Sequence, residues 1–250
     1  MCDSKVHPRI EIVFPVYNEE DRLETGITRT IDYLESIGLR NYVLTIADNN
    51  STDSTSDIAK DLVRLHNSVA YLHIPQKGVG IAVRTAFEMS SADIVGYMDI
   101  DLATNLRHLQ EVIDAFENDE SLQIVNGSRW ANGYLSSGRS LNRVASSIGL
   151  TTFLKHRLGM KASDAICGFK FFRRPTALAL IRESDTSDNG WFFIIEMLIR
   201  AERDECNIKE LPVEWIDDGN SSVKIISTTK YYLRRTKELR ASFDKEREQR

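Results

Sequence analysis

The chain has 250 residues, 42% of them apolar, and a net charge of −5 at pH 7. This length supports one sizeable core, so we expect a single compact α/β domain. The sequence shows no apolar run of the roughly 18 residues that a membrane-spanning helix needs, and no apolar N-terminal stretch of a signal peptide. We therefore expect a soluble, cytoplasmic protein. Its three cysteines are expected to be reduced thiols, because their spacings exclude a zinc site or a disulfide framework.

The charge is unevenly distributed along the chain. Residues 221–250 hold nine Lys or Arg and four Asp or Glu, a net +5, which leaves −10 for residues 1–220. We interpret residues 1–220 as the folded domain and residues 221–250 as a basic helical tail. Such a tail can approach anionic lipid headgroups or RNA, and a solvated terminal helix is the alternative. We expect no nucleic-acid partner and weigh peripheral contact with the inner face of a membrane against a solvated helix.

The first hundred residues alternate between β-rich apolar runs and segments with apolar residues at helical spacing. The expected strands are Arg9–Phe14, stopped by Pro15, then Tyr42–Ala47, Val69–Ile74 and Ile94–Met98. The expected helices are Glu19–Ser36, Ile58–Leu65 and Gly80–Met89. Strands that alternate with helices predict a parallel sheet covered on both faces.

After residue 100 the pattern changes. The expected elements are the helices Leu106–Glu117, Ala145–Leu158 and Trp191–Arg203, and the strands Gln123–Asn126 and Ile208–Trp215. Between them, Trp130–Arg143 is rich in Gly and Ser. A polar stretch of that length in a compact domain is either disordered or a functional lid.

Polar clusters follow three of the expected parallel strands, at the edge where ligands bind in an open parallel sheet. The clusters are Pro15–Glu19, Asp48–Ser51 and Asp99–Asp101. Residues two apart in an extended segment face the same side, so Asp99 and Asp101 can direct both carboxylates into one pocket. Two such carboxylates repel unless a cation lies between them, and hard oxygen ligands suit Mg²⁺ or Mn²⁺. The alternative is a chance Asp-x-Asp in which one Asp caps the next helix.

The segment Lys77–Arg84 places a Gly-x-Gly turn before a helix. A dinucleotide-binding fingerprint normally follows the first strand and adds a third glycine, where this chain has Val83. The turn instead favours an anion or a nucleobase, because it presents backbone N–H groups and the positive end of a helix.

Eight segments stand out in order along the chain: FPVYNEE, ADNNSTDST, KGVGIAVRTAF, YMDIDLATN, NGSR, DAICGFKFFRR, GWFFIIEML and ELPVEW. Together they resemble the family-2 inverting glycosyltransferases, most closely the branch that makes polyprenyl-phosphate sugars, such as dolichyl-phosphate mannose and glucose synthases. The resemblance runs from about Ile10 to about Val223. It implies the GT-A fold of nucleotide-diphospho-sugar transferases, with a single mainly parallel sheet flanked by helices.

The resemblance implies a nucleoside-diphosphate sugar donor and a divalent metal. Together with the polar clusters it predicts donor contacts at Pro15, Tyr17, Glu19, Asp48, Asn49, Lys77, Gly78, Asp99 and Ile100. Asp99 and Asp101 match the family's metal and ribose-diphosphate ligands. Asn49 stands where the family usually has a second Asp, which leaves the nucleobase open. Ala103 stands where some members have an oxygen ligand, so water or Asn105 would have to replace it.

The resemblance also predicts residues at the leaving group and the acceptor. Arg129, with Arg139 or Arg143 in the loop, is expected to hold phosphate oxygens, because a guanidinium binds them bidentately. The catalytic candidates are Arg129, Asp164 and Glu196. Asp164 resembles a position proposed as a base near the acceptor. Ser222 and Lys224 are expected near the phosphate of a lipid acceptor.

Ile194 stands two positions before Glu196, where related sequences often carry an Asp. A hydroxyl acceptor needs such a carboxylate as a base. A phosphate monoester, with a second pKa of about 6, is already largely an anion near neutrality. The expected reaction is a single displacement at the sugar C1 that moves a hexose to a polyprenyl phosphate. The alternatives are a soluble acceptor or a catalytically weakened nucleotide-sugar binding module.

Thr228–Arg240 combines five Lys or Arg with Tyr231 and Tyr232. The pattern predicts a segment that lies on an anionic membrane with an interfacial aromatic pair. The alternative is a solvated terminal helix that packs Leu233 on the body of the protein.

Overall fold

The computed structural model describes residues 7–131, 141–216 and 225–248, with the side chains of 141–143, 145 and 225–229 outside the description. The strands are β1 Ile10–Val16, β2 Tyr42–Asp48, β3 Val69–His73, β4 Ile94–Met98, β5 Ile124–Ser128, β6 Phe169–Arg173 and β7 Ile208–Pro212. The helices are α1 Leu23–Ser36, α2 Thr55–Leu65, α3 Val79–Met89, α4 His108–Asn118, α5 Leu141–Leu158, α6 Arg174–Glu183, α7 Phe192–Arg203 and α8 Ile225–Glu248.

These strands form one sheet in the order β3-β2-β1-β4-β6-β5-β7. Strand β6 is antiparallel to both of its neighbours, and every other neighbouring pair is parallel. Helices α1, α2 and α4 pack on one face of the sheet, and α3, α6 and α7 pack on the other. The expected single, mainly parallel sheet flanked by helices is confirmed.

Strand β1 continues through Pro15 to Val16, so the expectation that Pro15 stops it is wrong. The Val16 carbonyl accepts a hydrogen bond from the Asn49 N–H on the β2 side. Alternate residues of a strand face opposite neighbours, so the ring nitrogen of Pro15 faces the β4 side. Pairing with β4 ends at Val13, and the missing N–H therefore costs no ladder hydrogen bond.

Strand β6 and helix α6 were not among the predicted elements. Strand β6 reads FKFFR and is buried at its first four residues, so it shows no alternation of apolar and polar side chains. A strand covered on both faces loses that signal. Helix α6 did carry a signal, with Pro175 in its first turn and Ala177, Leu180 and Ile181 buried at helical spacing. Strand β7 ends at Pro212, earlier than expected, and Trp215 forms only an isolated bridge with Thr104.

Helix α8 packs on α5 and α7 through Tyr232, Leu239 and Phe243. The expected interfacial position is wrong for Tyr232, which is buried, while Leu233 is 48% exposed. The helical period explains both observations, since residues 232, 239 and 243 share the inward stripe and 233 lies outside it. The division into a domain and a tail at residue 220 stays a prediction.

Among the described residues, no helix combines the length and apolar character required to cross a membrane. Cys167 and Cys206 are free thiols, and Cys2 lies outside the described residues.

Candidate functional site

The carboxyl ends of β1, β2, β3 and β4 meet at one edge of the sheet because these strands are parallel. The loop after β1 is tied to the loop after β2 at this edge. Asn18, with φ 55°, donates its N–H to the Ser51 hydroxyl at 3.0 Å. Its side-chain oxygen accepts the Thr52 N–H at 2.8 Å. The Glu19 N–H donates to Thr55 Oγ1 at 2.8 Å. The two loops are therefore held as one unit beside the strand ends.

Asp48 and Asn49 are buried at the end of β2 and bind protein groups. Asp48 accepts the Ser51 N–H at 2.9 Å and the Tyr71 hydroxyl at 2.9 Å. Burial and this hydrogen bond raise the pKa of Tyr71. The Asn49 amide donates to the Val16 carbonyl at 2.7 Å and accepts the Gly78 N–H at 3.1 Å. A carboxylate could not make the first of these bonds, which gives a physical reason for Asn at a position where Asp was expected.

The predicted nucleotide contacts lie around this unit. The Lys77 ammonium lies 3.3 Å from the centre of the Tyr17 ring, so the loop after β3 reaches the loop after β1. Pro15 is within β1, and Ile100 is buried in the core, with its carbonyl oxygen against Gly26. The structure thus places the predicted donor residues at one edge of the sheet, and their contact with a donor stays a prediction.

Asp99 follows β4 directly and lies beside Asp101. Burial is the largest cause that raises the pKa of Asp99 to about 7, and the Asp101 carboxylate adds to the increase. Arg129 and Lys170 lower this pKa. Glu19 adds to the increase, so the acidic group from the β1 loop also lies close. Asp101 is exposed, and its Oδ1 accepts the Ala103 N–H at 3.0 Å. These carboxylates form a negative patch at the end of the central strand.

Gly168 makes room for the Asp99 carboxylate. A Cβ at Gly168 would lie 2.0 Å from Asp99 Oδ2, closer than any real contact between such atoms. The Asp99 N–H also donates to the Gly168 carbonyl at 3.3 Å. The turn before β6 therefore fixes where the Asp99 carboxylate points.

The acidic patch fits a divalent cation that is shared with a ligand. Over residues 7–131, 141–216 and 225–248, no group of three His, Cys, Asp or Glu side chains could hold a metal by itself. Mg²⁺ commonly uses one or two carboxylates and completes its coordination with waters and substrate phosphates. Asp99 and Asp101 supply two such carboxylates. Asn105 is an unsuitable third ligand, because its amide donates to Glu214 at 2.8 Å and its oxygen accepts the Arg107 N–H at 3.1 Å.

Arg129 and Asp164 form a buried ion pair behind the patch. Arg129 Nε and Nη2 donate to the two oxygens of Asp164 at 2.6 and 2.9 Å. Burial alone would raise the pKa of Asp164, but the hydrogen bonds and charge of Arg129 outweigh it and hold that pKa below its ordinary value. Asp164 is therefore a weak base, and Arg129 keeps only Nη1 outside the pair. The predicted catalytic roles of both residues stay predictions.

Lys170 of β6 is fully buried near the same groups, and its ammonium donates to the Cys167 carbonyl at 2.7 Å. Burial lowers the pKa of Lys170, while the charges of Asp164 and Asp99 act in the opposite direction. Lys170 thus places an amine behind both carboxylates.

Glu196 lies in a separate charged cluster on α7. Its Oε1 accepts Arg200 Nε at 2.9 Å and the Asp185 N–H at 3.1 Å, and Arg235 of α8 lies 3.9 Å from Oε2. Burial raises the pKa of Glu196 despite these partners. The described contacts of Glu196 are structural, and its catalytic role stays a prediction. Ile194 is buried in the core, so this position supplies no acid or base.

Several predicted features lie outside the described residues. They are the side chains of Arg139, Arg143, Ser222 and Lys224, and most of the expected lid Trp130–Arg143. The last three residues of that lid belong to helix α5.

Sequence reasoning missed three residues that shape this edge: Tyr71, Gly168 and Asn189. The side chain of Tyr71 binds Asp48, and the Asn189 carbonyl accepts the Ile81 N–H at 3.3 Å from the start of α3. Gly168 carried a signal, since it precedes a strand within the segment CGFK, whereas the other two act only through tertiary contacts.

Comparisons with known proteins agree with this arrangement. The model of glycosyl transferase family 2 matches residues 11–178. The chain belongs to glycosyl transferase family 2. Glycosyltransferase AglD of Haloferax volcanii is 32% identical over 219 residues, which cover 87% of this chain and 34% of that protein. A dolichyl-phosphate beta-glucosyltransferase of Saccharomyces cerevisiae is 30% identical over 241 residues, covering 88% of this chain and 71% of the yeast protein. The expected resemblance to the polyprenyl-phosphate branch is confirmed.

Solved structures similar to this chain share the GT-A fold. Glucosyl-3-phosphoglycerate synthase from Mycobacterium tuberculosis, with Mn²⁺, UDP and phosphoglyceric acid, has a TM-score of 0.60 at 18% identity and covers 82% of this chain and 68% of its own. Mannosyltransferase PcManGT from Pyrobaculum calidifontis, with GDP-Man and Mn²⁺, has a TM-score of 0.58 at 14% identity and covers 87% and 59%. The chain spans about a third of AglD and 65% of a Trichomonas vaginalis dolichyl-phosphate beta-glucosyltransferase that is 28% identical to it.

Proposed function

We propose that this family 2 glycosyltransferase moves a hexose from a nucleoside-diphosphate sugar to a polyprenyl phosphate at the cytoplasmic face of a membrane, with inversion and with Mg²⁺ or Mn²⁺. The observation that carries the proposal is the Asp99 and Asp101 pair at the end of β4, beside the joined loops of β1 and β2. The relatives described as dolichyl-phosphate beta-glucosyltransferases support the acceptor class. The neighbours solved with Mn²⁺ and UDP or GDP-Man support the donor and the metal.

In the proposed complex, Asp99 and Asp101 hold the divalent ion together with the donor diphosphate. A bound cation stabilises the negative charge that develops on the leaving nucleoside diphosphate. Tyr17, Lys77 and the backbone near Gly78 then surround the nucleoside. Both polar groups of Asn49 have protein partners, so its contribution is to hold Gly78 in place for the base.

The state of the carboxylates favours a phosphate acceptor. Asp164 is committed to Arg129, Glu196 is committed to Arg200, and Ile194, where the family resemblance predicts an acidic residue, is apolar and buried. A hydroxyl acceptor would need one of these groups as a base. A phosphate monoester is already largely an anion near neutrality and needs none. The acceptor is therefore proposed to attack the sugar C1 as a phosphate oxygen.

The outer face of α8 supports contact with an anionic lipid surface. Lys230, Leu233, Arg234 and Lys237 recur at helical spacing and are all exposed, with Leu233 at 48%. Arg240 joins this face to α5 by donating to the Arg157 carbonyl at 2.9 Å. Each Lys or Arg near such a surface is worth about 1 kcal/mol. Ser222 and Lys224, which precede the helix, stay predicted contacts of the lipid phosphate.

The test is a transfer assay with the full chain. UDP-glucose and GDP-mannose are each offered with Mn²⁺ or Mg²⁺, together with a polyprenyl phosphate or a soluble phosphate monoester, and products are identified by mass spectrometry. The proposal expects metal-dependent formation of a polyprenyl-phosphate hexose with one of the donors. Transfer only to the soluble acceptor would replace the lipid proposal, and donor binding without any transfer would favour a binding module.

A further inference from the structure

A buried carboxylate, Asp188, joins helix α8 to the loop between α6 and α7. Asp188 is 6% exposed. Its Oδ1 accepts the Tyr231 hydroxyl at 2.6 Å, and its Oδ2 accepts Arg235 Nε at 2.7 Å. Both donors lie on α8, four residues apart and therefore on one face of the helix. Arg235 also donates to Asp185 of the same loop at 3.0 Å, so two carboxylates tie α8 to this loop, and Asp188 is the buried one of the two.

The side chains of Asp188 and Tyr231 also fix the backbone of the loop. Asp188 Oδ1 also accepts the Gly190 N–H at 2.8 Å. The Tyr231 oxygen accepts the Phe192 N–H at 3.2 Å, at the start of α7. Residues 188–192 therefore take their course from a carboxylate within the loop and a hydroxyl that arrives from α8.

The far side of this loop supports the Gln76–Gly78 segment of the proposed donor site. The Asn189 amide donates to Gln76 Oε1 at 3.2 Å, and its carbonyl accepts the Ile81 N–H at 3.3 Å. Gly78 has φ 148°, and a Cβ there would lie 2.1 Å from the Asn189 oxygen. The backbone at Asn189 thus defines the space into which Gly78 fits.

Gly78 is in turn bound to the end of β2, because its N–H donates to Asn49 Oδ1 at 3.1 Å. A continuous set of contacts therefore runs from Tyr231 on α8, through Asp188 and Asn189, to Gly78 and Asn49. A displacement of the hydroxyl at Tyr231 would move the loop that Gly78 packs against.

We infer that Asp188 and Tyr231 are positioning residues for nucleotide binding, which act on the Gln76–Gly78 segment through Asn189 and Gly190. The inference rests on the proposed donor site. It assigns to helix α8 a role in donor affinity that is separate from any role of its outer face at a membrane. A purely structural role for these residues would change the melting temperature alone.

The test compares Tyr231→Phe with Tyr232→Phe in the full chain. The first variant removes the hydroxyl that binds Asp188 and Phe192. The control removes the same group from the neighbouring residue, whose ring packs on Phe192 with centres 6.1 Å apart. The Kd of UDP and of GDP, each with Mn²⁺, is measured by calorimetry well below the melting temperatures. We expect Tyr231→Phe to raise the Kd about 10-fold, as for one lost buried hydrogen bond, and Tyr232→Phe to leave it within about twofold.

A second variant, Asp188→Asn, removes the charge at nearly constant size. It is expected to weaken nucleotide binding similarly, and the double variant with Tyr231→Phe should be less than additive, because both act on one contact. Hydrogen exchange at residues 76–81 should rise in both variants and stay unchanged in Tyr232→Phe. Nucleotide binding by the wild type together with an unchanged Kd in Tyr231→Phe would overturn this inference alone. Absence of nucleotide binding by the wild type would overturn the donor site itself.

Discussion

The two halves of the sheet satisfy their polar groups in different ways. At the ends of β1 to β4, side chains such as Asp48 and Asn49 bind backbone N–H groups, a carbonyl and a hydroxyl from adjacent loops. Beyond β4 two buried ion pairs appear, Arg129 with Asp164 after β5 and Arg200 with Glu196 on α7. The first half leaves Asp99 and Asp101 next to solvent for a ligand. The second half supplies the cations behind them.

The different bonding of these polar groups indicates that the two halves of the sheet have different roles. Hydrogen bonds from backbone N–H groups and hydroxyls, rather than buried ion pairs, hold Asp48 and Asn49 at the donor edge. In the second half, the charges of Arg129 and Lys170 lie close enough to Asp99 to lower its pKa against the effect of burial. Each half can therefore be perturbed separately, with distinct readouts.

The largest expected effect is on stability in the second half. Asp164→Asn leaves the buried Arg129 without its counter-charge, and breaking such a pair costs about 3–5 kcal/mol in the free energy of unfolding. The matched control, Asp61→Asn, breaks the exposed pair with Arg64 and should cost less than about 1 kcal/mol. Urea unfolding of the variants and the parent protein measures both values.

The same variant has a predicted pH dependence. The pKa of Asp164 is lowered in the folded state, so its pairing stabilises the fold above the unfolded pKa of about 3.9 and is lost as pH falls through the folded pKa. The difference in unfolding free energy between the parent and Asp164→Asn should thus be full near neutrality and shrink below about pH 4. A difference that is the same at pH 3 and pH 7 would contradict the assigned pair.

The next effect concerns the donor edge. Asp101→Ala removes one of the two proposed metal ligands and should weaken Mn²⁺-dependent binding of the nucleoside diphosphate at least about 100-fold. Asp101 is exposed, so the melting temperature of the apo protein should change little. Calorimetric titration with and without Mn²⁺ measures the affinity, and Asp32→Ala on α1 is the control for loss of an exposed carboxylate. Equal affinity in Asp101→Ala and the parent would rule out the metal assignment.

A smaller effect should connect the two halves. Gly168→Ala places a methyl group against the Asp99 carboxylate and should weaken Mn²⁺-dependent nucleotide binding by about 10-fold, the scale seen when the support of a metal ligand is disturbed. Gly149→Ala is the matched control, because a Cβ there meets no atom within 4 Å. That control should leave binding unchanged and gain up to about 1 kcal/mol in stability from its helical position. Unchanged binding in both variants would show that the turn does not position Asp99.

The smallest effect is expected on the outer face of α8. Lys230→Ala and Lys237→Ala should each reduce partitioning onto vesicles with anionic lipid by about fivefold, from about 1 kcal/mol per charge. Lys60→Ala, at an exposed site on α2, is the control and should partition like the parent. Sedimentation with vesicles of phosphatidylcholine and phosphatidylserine provides the measurement. Equal partitioning of all three variants would remove α8 from the proposed membrane contact.

Strands followed by polar clusters made the donor edge predictable. Parallel strands bring their carboxyl ends together whatever the rest of the fold does, so Asp48, Asn49, Asp99 and Asp101 could be grouped from the sequence. Strand β6 escaped prediction because it is buried on both faces and shows no alternation. The position of Gly168 against Asp99 could not be predicted either, because it depends on the antiparallel pairing of β6 with β4.

The sequence by itself determined the alternation of strands and helices, the acidic pair after β4 and the membership of glycosyl transferase family 2. These follow from local periodicity, from residue types at strand ends and from motifs in order. The tertiary structure decided which distant polar groups meet: Arg129 with Asp164, and Tyr231 with Asp188. These pairs join residues 35 and 43 positions apart. Long-range pairing and burial are properties of the packed chain, and no local pattern encodes them.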